Sequence, residues 1–194
     1  MVKIMENDEM DMDMDVDKYE ERCQQYEDYL TNHISNVQKA FEECDKEKLK
    51  ELTNLTDEDL EDLEYQISQH DDSKYESEEW DAYLDWFYPE DENAEKDEYA
   101  YDCAWIHHCH NNPHHFQYWL CFDDDGTARP IDMPLNYIIE ALCDWHSFSA
   151  QNPDSSAKKW WEEHRDVFNM TDKTKEWFDI LTPLFETPLT NEEG

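Results

Sequence analysis

Apolar residues recur every three or four positions through much of the chain, a spacing that is typical of amphipathic helices. The first such stretch, residues 19–44, carries Tyr26, Leu30, Ile34, Val37 and Phe41. His33 stands one position before Ile34, near the edge of this apolar stripe. The pattern therefore predicts a long first helix with a histidine at its inner margin.

Start and stop signals divide the next part of the chain into three more helices. Thr56 is followed by three acidic residues, as is typical of a helix N-terminus, and the apolar face of this second helix continues toward His70. A third helix is predicted from Ser77 to just before Pro89. A fourth covers residues 98–111 and closes where Pro113 disfavours helical backbone in the residue before it.

The pattern changes between residues 120 and 131, where Asp-Asp-Asp-Gly at 123–126 separates two short apolar runs. This turn chemistry predicts either a small hairpin or an irregular loop. Further helices are predicted from Pro134 onward, at about 156–168 and at about 172–185. Because the chain has only 2 glycines and hardly any alternating segments, the predicted fold class is all-α, or mainly helical.

Composition adds a strong negative charge to this helical pattern. The 194 residues include 52 Asp and Glu against 15 Lys and Arg, a formal net charge of −37. Such a charge is typical of disordered chains, but 8 Trp, 11 Tyr and 8 Phe are present, and each packed aromatic ring buries about 150–250 Å². We expect a single folded domain over residues 18–188, an acidic disordered leader over 1–17 and a short tail over 189–194.

Charge and cysteine usage restrict the partners. Direct binding to DNA or RNA is not expected, because it depends on Lys and Arg that displace counterions from phosphates. Divalent cations, a basic protein surface, or a protein groove that normally holds nucleic acid would be attracted instead. The 6 cysteines are scattered, which predicts reduced thiols, and no apolar run approaches the roughly 20 residues that span a bilayer. The expected location is the cytoplasm, without membrane insertion.

Histidine and aspartate stand at the inner margins or ends of several predicted helices. His33 lies on the first helix, the doublet His70-Asp71 ends the second, and Asp144 lies on a later one. Imidazole nitrogen and carboxylate oxygen are ligands for divalent cations such as Mn, Co, Zn, Fe or Mg. These four residues therefore predict a metal site that leaves positions for water and a substrate oxygen.

A histidine-rich segment lies between the doublet and Asp144. His107 and His110 are three residues apart and share a helical face, whereas His114 and His115 follow Pro113 in a loop. We expect one or two of the histidines in residues 107–115 to reach the same cavity. The other reading is structural, since histidines commonly cap helices or pair with carboxylates.

The spacing of the four candidate ligands resembles the HD superfamily of metal-dependent phosphohydrolases. Its pattern is a His on an early helix, a His-Asp doublet at the end of a second, and a distant Asp. The matching positions are His33, His70, Asp71 and Asp144. The resemblance implies an HD-like helical bundle and hydrolysis of a small phosphate ester, since compact members dephosphorylate deoxynucleoside monophosphates.

The chain is also similar to an uncharacterised family of Gram-positive bacteria and their phages. The shared motifs are His70-Asp71-x-Ser73-Lys74, Asn112-Pro113-His114-His115-x-x-Tyr118-Trp119 and Asp144-Trp145. This similarity implies an architecture but no established activity.

The HD resemblance further implies that a second cation can be held by additional histidines. His107 or His108, together with His114 or His115, would play that part, so that one or two ions are expected. Two cations about 3.5–4 Å apart would clamp the attacking and leaving oxygens of a phosphate.

For the candidate catalytic residues other than Asp71, the sequence leaves alternative roles open. Lys74 would meet a substrate phosphate as a point charge, or else form a surface ion pair with Glu78. Asp72, Glu78 or Glu79 would protonate the leaving oxygen.

Two functions follow from these residues. The first is a metal-dependent phosphohydrolase acting on a small phosphorylated substrate, most simply a nucleotide. The second is a non-enzymatic acidic protein on an HD-like scaffold, which mimics nucleic acid and blocks the groove of a basic protein, as a phage inhibitor of host defence would. Changes at His70 or Asp71 should abolish the first function and leave the second intact.

Overall fold

A computed structural model describes the backbone of residues 7–91 and 93–190, and this part of the chain is mainly helical, as predicted. It contains eight α-helices and one two-stranded hairpin. The helices are α1 (Asn7–Glu43), α2 (Lys46–Thr53), α3 (Asp57–Ser68), α4 (Ser77–Phe87), α5 (Glu98–Asn111), α6 (Leu135–Ser147), α7 (Ala157–His164) and α8 (Asp172–Leu181). The strands are β1 (Leu120–Phe122) and β2 (Ala128–Pro130), and short 3-10 turns connect several of these elements.

The first helix begins earlier than its apolar stripe. Residues 7–17 form its first turns, although the sequence predicts a disordered leader over residues 1–17. Once a helix is nucleated, each further residue costs little, and acidic side chains near an N-terminus interact favourably with the helix dipole. Residues 1–6, the rest of the predicted leader, lie outside the described residues.

Side-chain caps fix the bounds of the short helices that lead to the candidate ligands. The Asp45 carboxylate accepts a hydrogen bond from the backbone of Lys48 and begins α2. Asn54 ends α2 in the left-handed region, at φ 60°. At α3, Thr56 and Asp59 form a reciprocal capping box, so the predicted start of this helix is confirmed. Helix α3 then ends two residues before His70.

Residues 120–131 form the hairpin, which was one of the two predicted alternatives. Strands β1 and β2 are antiparallel, with Leu120 opposite Pro130 and Phe122 opposite Ala128. Gly126 lies in the turn at φ 83°, a backbone conformation that is costly for residues with a Cβ.

The later helices lie close to their predicted positions. Pro134 is the residue before α6, and Ser156 and Thr171 cap α7 and α8 through their hydroxyl oxygens. Helix α8 ends at Leu181, and a 3-10 turn continues to Phe185.

The described chain divides into two compact units, and each has its own core. The first unit comprises the chain up to Asn32 and Lys74–His107. Its core consists of five buried residues, and aromatic rings pack around them; these five are Tyr26, Leu30, Tyr83, Leu84 and Ala104.

The second unit comprises His33–Ser73 and the chain from His108 onward. Its core draws on α1, α2, α3, α6, α7 and α8 and includes Val37, Leu49, Ile67, Leu142, Trp161 and Phe178, all at most 2% exposed. Burial of each such large apolar side chain stabilises the fold by roughly 1.5–3 kcal/mol. Trp145 stacks on Phe178 with ring centroids 5.1 Å apart. Helix α6 lies in this core, and its buried residues include Glu140 and Asp144 as well as apolar side chains.

The extent of a single domain over 18–188, with a tail over 189–194, stays a prediction. Among the described residues, no helix is both long and apolar enough to cross a bilayer.

Candidate metal centre

The doublet His70-Asp71 lies directly after α3, where the backbone turns sharply. Asp71 has φ 60°, and a non-glycine residue in this left-handed region costs about 1–2 kcal/mol unless a short polar side chain compensates. Both residues are buried, with 1% and 2% of their surface exposed. Strained backbone at a buried charged residue is common at functional sites, so the turn makes Asp71 a candidate functional residue.

One group of ligand atoms forms on the Oδ2 side of Asp71. The Nε2 atoms of His33 and His70 each lie 3.5 Å from this oxygen. Asp144 of α6 completes the group, with its Oδ1 3.3 Å from His33 Nε2 and 3.8 Å from His70 Nε2. The four residues that the sequence predicts as ligands are therefore brought together; we call them the first subsite.

A second group forms on the Oδ1 side of the same carboxylate. The Nε2 atoms of His108 and His114 each lie 3.5 Å from Asp71 Oδ1. His115 joins them, with its Nε2 2.9 Å from that of His108. The possible ligand atoms of Asp71, His108, His114 and His115 all lie within 4.8 Å of one another. We call this group the second subsite.

The Asp71 carboxylate is common to both subsites, with one oxygen directed to each. A carboxylate in this position can bridge two cations, as in the paired metal sites of hydrolases. The two groups also approach each other elsewhere, since possible ligand atoms of His70, His114 and Asp144 lie within 4.8 Å of one another. The geometry thus suits one or two cations within a single buried centre.

Glu140 supports the centre by contacting two of its histidine rings at Nδ1, whereas Asp71 faces Nε2 of the same rings. Its Oε1 lies 2.9 Å from His70 Nδ1 and 3.2 Å from His114 Nδ1. Gln66 donates a hydrogen bond to Oε2, and Asn136 donates to Gln66 over 2.6 Å. A carboxylate that accepts from Nδ1–H leaves Nε2 as the ligand atom, which is the usual arrangement around metal-binding histidines.

Serine residues contact two further ligands. Ser147 Oγ lies 3.3 Å from Nδ1 of His33, and Ser73 Oγ lies 3.5 Å from Nδ1 of His108. Asn112 donates to Ser73 Oγ over 2.6 Å and lies 3.1 Å from the same His108 nitrogen. For all four of these histidines, therefore, Nδ1 faces supporting residues and Nε2 faces Asp71.

Three buried carboxylates make the centre strongly anionic. Burial alone would lower the pKa of His70, but the carboxylates of Asp71, Asp144 and Glu140 outweigh it and raise the pKa to about 10. Burial raises the pKa of Glu140, yet hydrogen bonds from His114 and His70 bring it to about 2. The pKa of Asp144 is likewise held well below its usual range, because the neighbouring imidazoles of His33 and His70 outweigh the effect of its burial.

This electrostatic balance fits a cation. Carboxylates buried together need compensating positive charge, which protons on the imidazoles or a metal ion can supply. His70 Nε2 and His114 Nε2 are buried, and among the described residues they have no hydrogen-bond partner. Buried donors or acceptors of this kind are rare, since each costs about 1–3 kcal/mol. A mixed imidazole and carboxylate donor set of this geometry matches borderline and hard divalent cations.

Other predicted site residues lie in the first unit. His107 Nδ1 is 2.8 Å from the fully buried carboxylate of Glu79, and His107 Nε2 is 3.6 Å from Glu76. His107 shares a group of possible ligand atoms with Glu76 and Glu78, two exposed residues. Of the predicted alternatives for a second cation, His108 is the one that groups with Asp71, His114 and His115.

The proposed catalytic residues have different environments. Asp72 begins the 3-10 turn that follows Asp71 and is largely exposed; slight desolvation, together with the charge of Asp71, raises its pKa. Lys74 ends the same sequence motif, and Glu78 lies in the first turn of α4, where it accepts a hydrogen bond from Ser77. Both belong to the first unit.

Sequence reasoning missed Glu140. It stands within the apolar run Ile138-Ile139-Glu140-Ala141-Leu142, on a helix whose neighbouring positions are all buried. A lone acidic residue in such a run, four positions before a candidate ligand on the same helix, is the signal that would have identified it.

A comparison with protein-family models gives a match over residues 22–190 to a family of unknown function, DUF5662. The chain belongs to this family. The matched range covers every residue of both subsites, from His33 to Asp144. No curated protein and no solved structure matches the chain. Membership in DUF5662 confirms the predicted placement in an uncharacterised family and assigns no activity.

Proposed function

We propose that this protein is a metal-dependent phosphohydrolase that acts on a small phosphate ester. The observation that carries the proposal is the buried Asp71 carboxylate, whose two oxygens each lie 3.5 Å from the Nε2 atoms of two different histidines. The resemblance of His33, His70, Asp71 and Asp144 to the HD pattern supports the same reading. Both lines point to divalent cations as cofactors, of the class Mn, Co, Zn, Fe or Mg.

Each subsite has enough protein ligands to hold one cation and still leave room for a substrate oxygen. Cations bound there would supply Lewis acidity to a phosphoryl oxygen and lower the pKa of a water molecule toward neutrality. The residues of this chain would supply the ligand atoms and the contacts that orient them. Imidazole Nε2 atoms, Asp71 and Asp144 would hold the ions, while Glu140, Ser147 and Ser73 contact the imidazole rings from behind.

In hydrolysis, a water molecule gives up a proton to solvent and its oxygen forms a bond to phosphorus, while the bond from phosphorus to the leaving oxygen breaks and that oxygen takes up a proton from an acid. We assign the proton donation to Asp72, while the roles of Glu78 as an alternative donor and of Lys74 as a phosphate contact stay predictions from the sequence. Asp72 is the donor that belongs to the same unit as the ligands. Substitution of each residue separately, with kcat and KM measured, distinguishes the donor from the phosphate contact.

The charge of the chain favours a substrate with few negative charges. With 52 acidic residues against 15 basic ones, there is little to attract a di- or triphosphate. A monophosphate needs less positive charge to compensate it, and cations bound at the centre would reverse the local sign of the electrostatic field. A nucleoside monophosphate is the substrate that the HD resemblance suggests.

The test is a hydrolysis screen on nucleoside monophosphates and simple phosphate esters, using protein that has been depleted of metal and then supplied with each divalent cation. We expect phosphate release that depends on the cation and disappears in Asp71→Asn. Asp62→Asn, which changes an exposed carboxylate on α3, serves as the matched control and should keep full turnover. Phosphate release that persists in Asp71→Asn would show that it does not come from this centre.

The net charge of −37 supports a second candidate function, that of an acidic protein which occupies the groove of a basic partner. Binding of this kind weakens steeply with salt. The affinity for the basic partner should also be the same in wild type and in Asp71→Asn. Pull-down of a basic protein at low salt by both wild type and this variant, without turnover by either, would favour this alternative over the hydrolase.

A further inference from the structure

We propose that Glu140 is a positioning residue that sets the cation affinity of both subsites at once. This inference rests on the proposed metal centre, and it adds a specific claim. A single carboxylate behind the ligands, rather than a separate support for each cation, governs how the centre is loaded.

The geometry of Glu140 distinguishes it from the other supporting residues. One atom, Oε1, faces Nδ1 of His70 in the first subsite and Nδ1 of His114 in the second, at 2.9 and 3.2 Å. Glu140 is 4% exposed, so water competes little for these contacts. The rings of His70 and His114 also lie against each other, with centroids 4.3 Å apart.

A carboxylate at Nδ1 acts on a ligand in two ways. It keeps the proton on Nδ1, so that the lone pair stays on Nε2, and its charge makes that lone pair more basic. Loss of such a partner typically lowers metal affinity about 10–100-fold. Because Oε1 serves one ligand of each subsite, loss of its charge should lower both affinities by similar factors.

The two serines behind the centre have no such double role in the contacts described. Ser147 Oγ touches Nδ1 of His33, a ligand of the first subsite. Ser73 Oγ touches Nδ1 of His108, a ligand of the second. Ser147→Ala and Ser73→Ala are therefore matched controls, and each should affect the subsite it touches.

Glu140→Gln is a suitable test because it keeps the shape of the side chain. The new amide would place its NH₂ toward Gln66, which currently donates to Oε2. Rotation of the Gln66 amide turns its oxygen toward Gln at 140, and rotation of the Asn136 amide, which now donates to Gln66, then presents the Asn136 oxygen to the Gln66 NH₂, so the polar groups can stay paired. Gln66→Ala is a second variant at a partly buried position, and it removes the hydrogen bond that holds the carboxylate from behind.

The experiment measures Mn²⁺ bound per chain at graded free Mn²⁺, with metal-depleted full-length protein and element analysis after equilibrium dialysis. Paramagnetic resonance of bound Mn²⁺ separates single ions from coupled pairs. Circular dichroism of the metal-free variants confirms folding. A purely structural role would change stability and leave the affinity of the folded protein unaltered.

We expect wild type to bind two ions. Glu140→Gln should need 10–100-fold more free Mn²⁺ for both, Gln66→Ala should shift both by a smaller factor, and each serine variant should shift one. Two ions in wild type with either one unshifted in Glu140→Gln would overturn this inference and leave the proposed function standing. No bound Mn²⁺ in wild type would overturn the inference and the metal basis of the proposed function together.

Discussion

Asp71→Asn should abolish the stabilisation of the protein by divalent cations while leaving the metal-free fold in place. Asn is the substitution of choice because Asp71 has φ 60°, a conformation that Asn adopts more readily than other L-residues with a side chain. Asp71→Ala would add a backbone cost of about 1–2 kcal/mol and so confuse loss of metal with loss of fold. The Asn amide retains the size of the carboxylate but lacks the charge and the second oxygen that face the histidines.

The size of the effect follows from the two subsites. At free cation 100-fold above Kd, each site adds about 2.7 kcal/mol to the free energy of unfolding, so two add about 5 kcal/mol. For a chain of this size, each kcal/mol raises Tm by roughly 2–4 °C, which gives an increase of roughly 10–20 °C. Because both subsites use Asp71, the Asp71→Asn variant should lose nearly all of this cation-dependent increase in Tm.

Differential scanning fluorimetry or calorimetry, with and without Mn²⁺ or Zn²⁺ after chelator treatment, measures this shift. The cation should raise the Tm of wild type and of Asp62→Asn, but it should not raise the Tm of Asp71→Asn. An equal cation-dependent rise of Tm in wild type and Asp71→Asn would refute the assignment of Asp71 as the shared ligand.

Three further predictions concern the fold that holds the centre. Thr56→Ala should lower the free energy of unfolding by about 1 kcal/mol in urea titrations, because it breaks the capping box of α3; an unchanged midpoint would contradict this. Leu142→Ala should cost about 2–5 kcal/mol, because Leu142 is 0% exposed, whereas Val167→Ala, at a position 75% exposed, should cost at most about 0.5 kcal/mol. Hydrogen bonds from Arg165 lower the pKa of Asp179 in the folded protein. The stability that this carboxylate contributes is therefore fully present above the pKa of an unfolded Asp, about 3.9. It is lost as the pH falls through the lower pKa of the folded state. The difference in stability between wild type and Asp179→Asn should therefore shrink below about pH 4, as measured by urea titrations at each pH with total tryptophan fluorescence; a difference that grows in acid would show the opposite linkage.

Helical spacing and capping chemistry predicted most of the elements that carry the first subsite. His33 could be placed because it adjoins a regular apolar stripe, and the end of α3 near His70 follows from the cap at Thr56 and the length of its apolar face. These are local signals, set by one helix turn or by one hydrogen bond. Asp144 was accessible in the same way, since the apolar face of α6 runs past it.

The second subsite was harder to predict because α5 has no clear apolar stripe. Ile106 is exposed, whereas His108 and Cys109 are buried, so hydrophobicity does not indicate which way the helix faces. The choice between His107 and His108 depends on rotation about the helix axis, and one residue changes that angle by about 100°. Sequence therefore leaves both histidines as alternatives.

Glu140 shows a different limit. The apolar run around Glu140 marks the residue itself, but its partners His70 and His114 are 70 and 26 positions away, and no local pattern encodes contacts at that separation. The start of α1 shows a third limit, since the acidic sequence of residues 7–17 is typical of disordered segments, whereas the backbone there is helical.

The count of divalent cations bound per chain tests the central claim most directly. Metal-depleted protein equilibrated with Mn²⁺, Co²⁺, Zn²⁺, Fe²⁺ or Mg²⁺ and analysed for bound metal should hold two ions per chain with at least one of these cations, and Asp71→Asn should retain neither. Absence of bound ions in wild type at saturating cation would contradict the account.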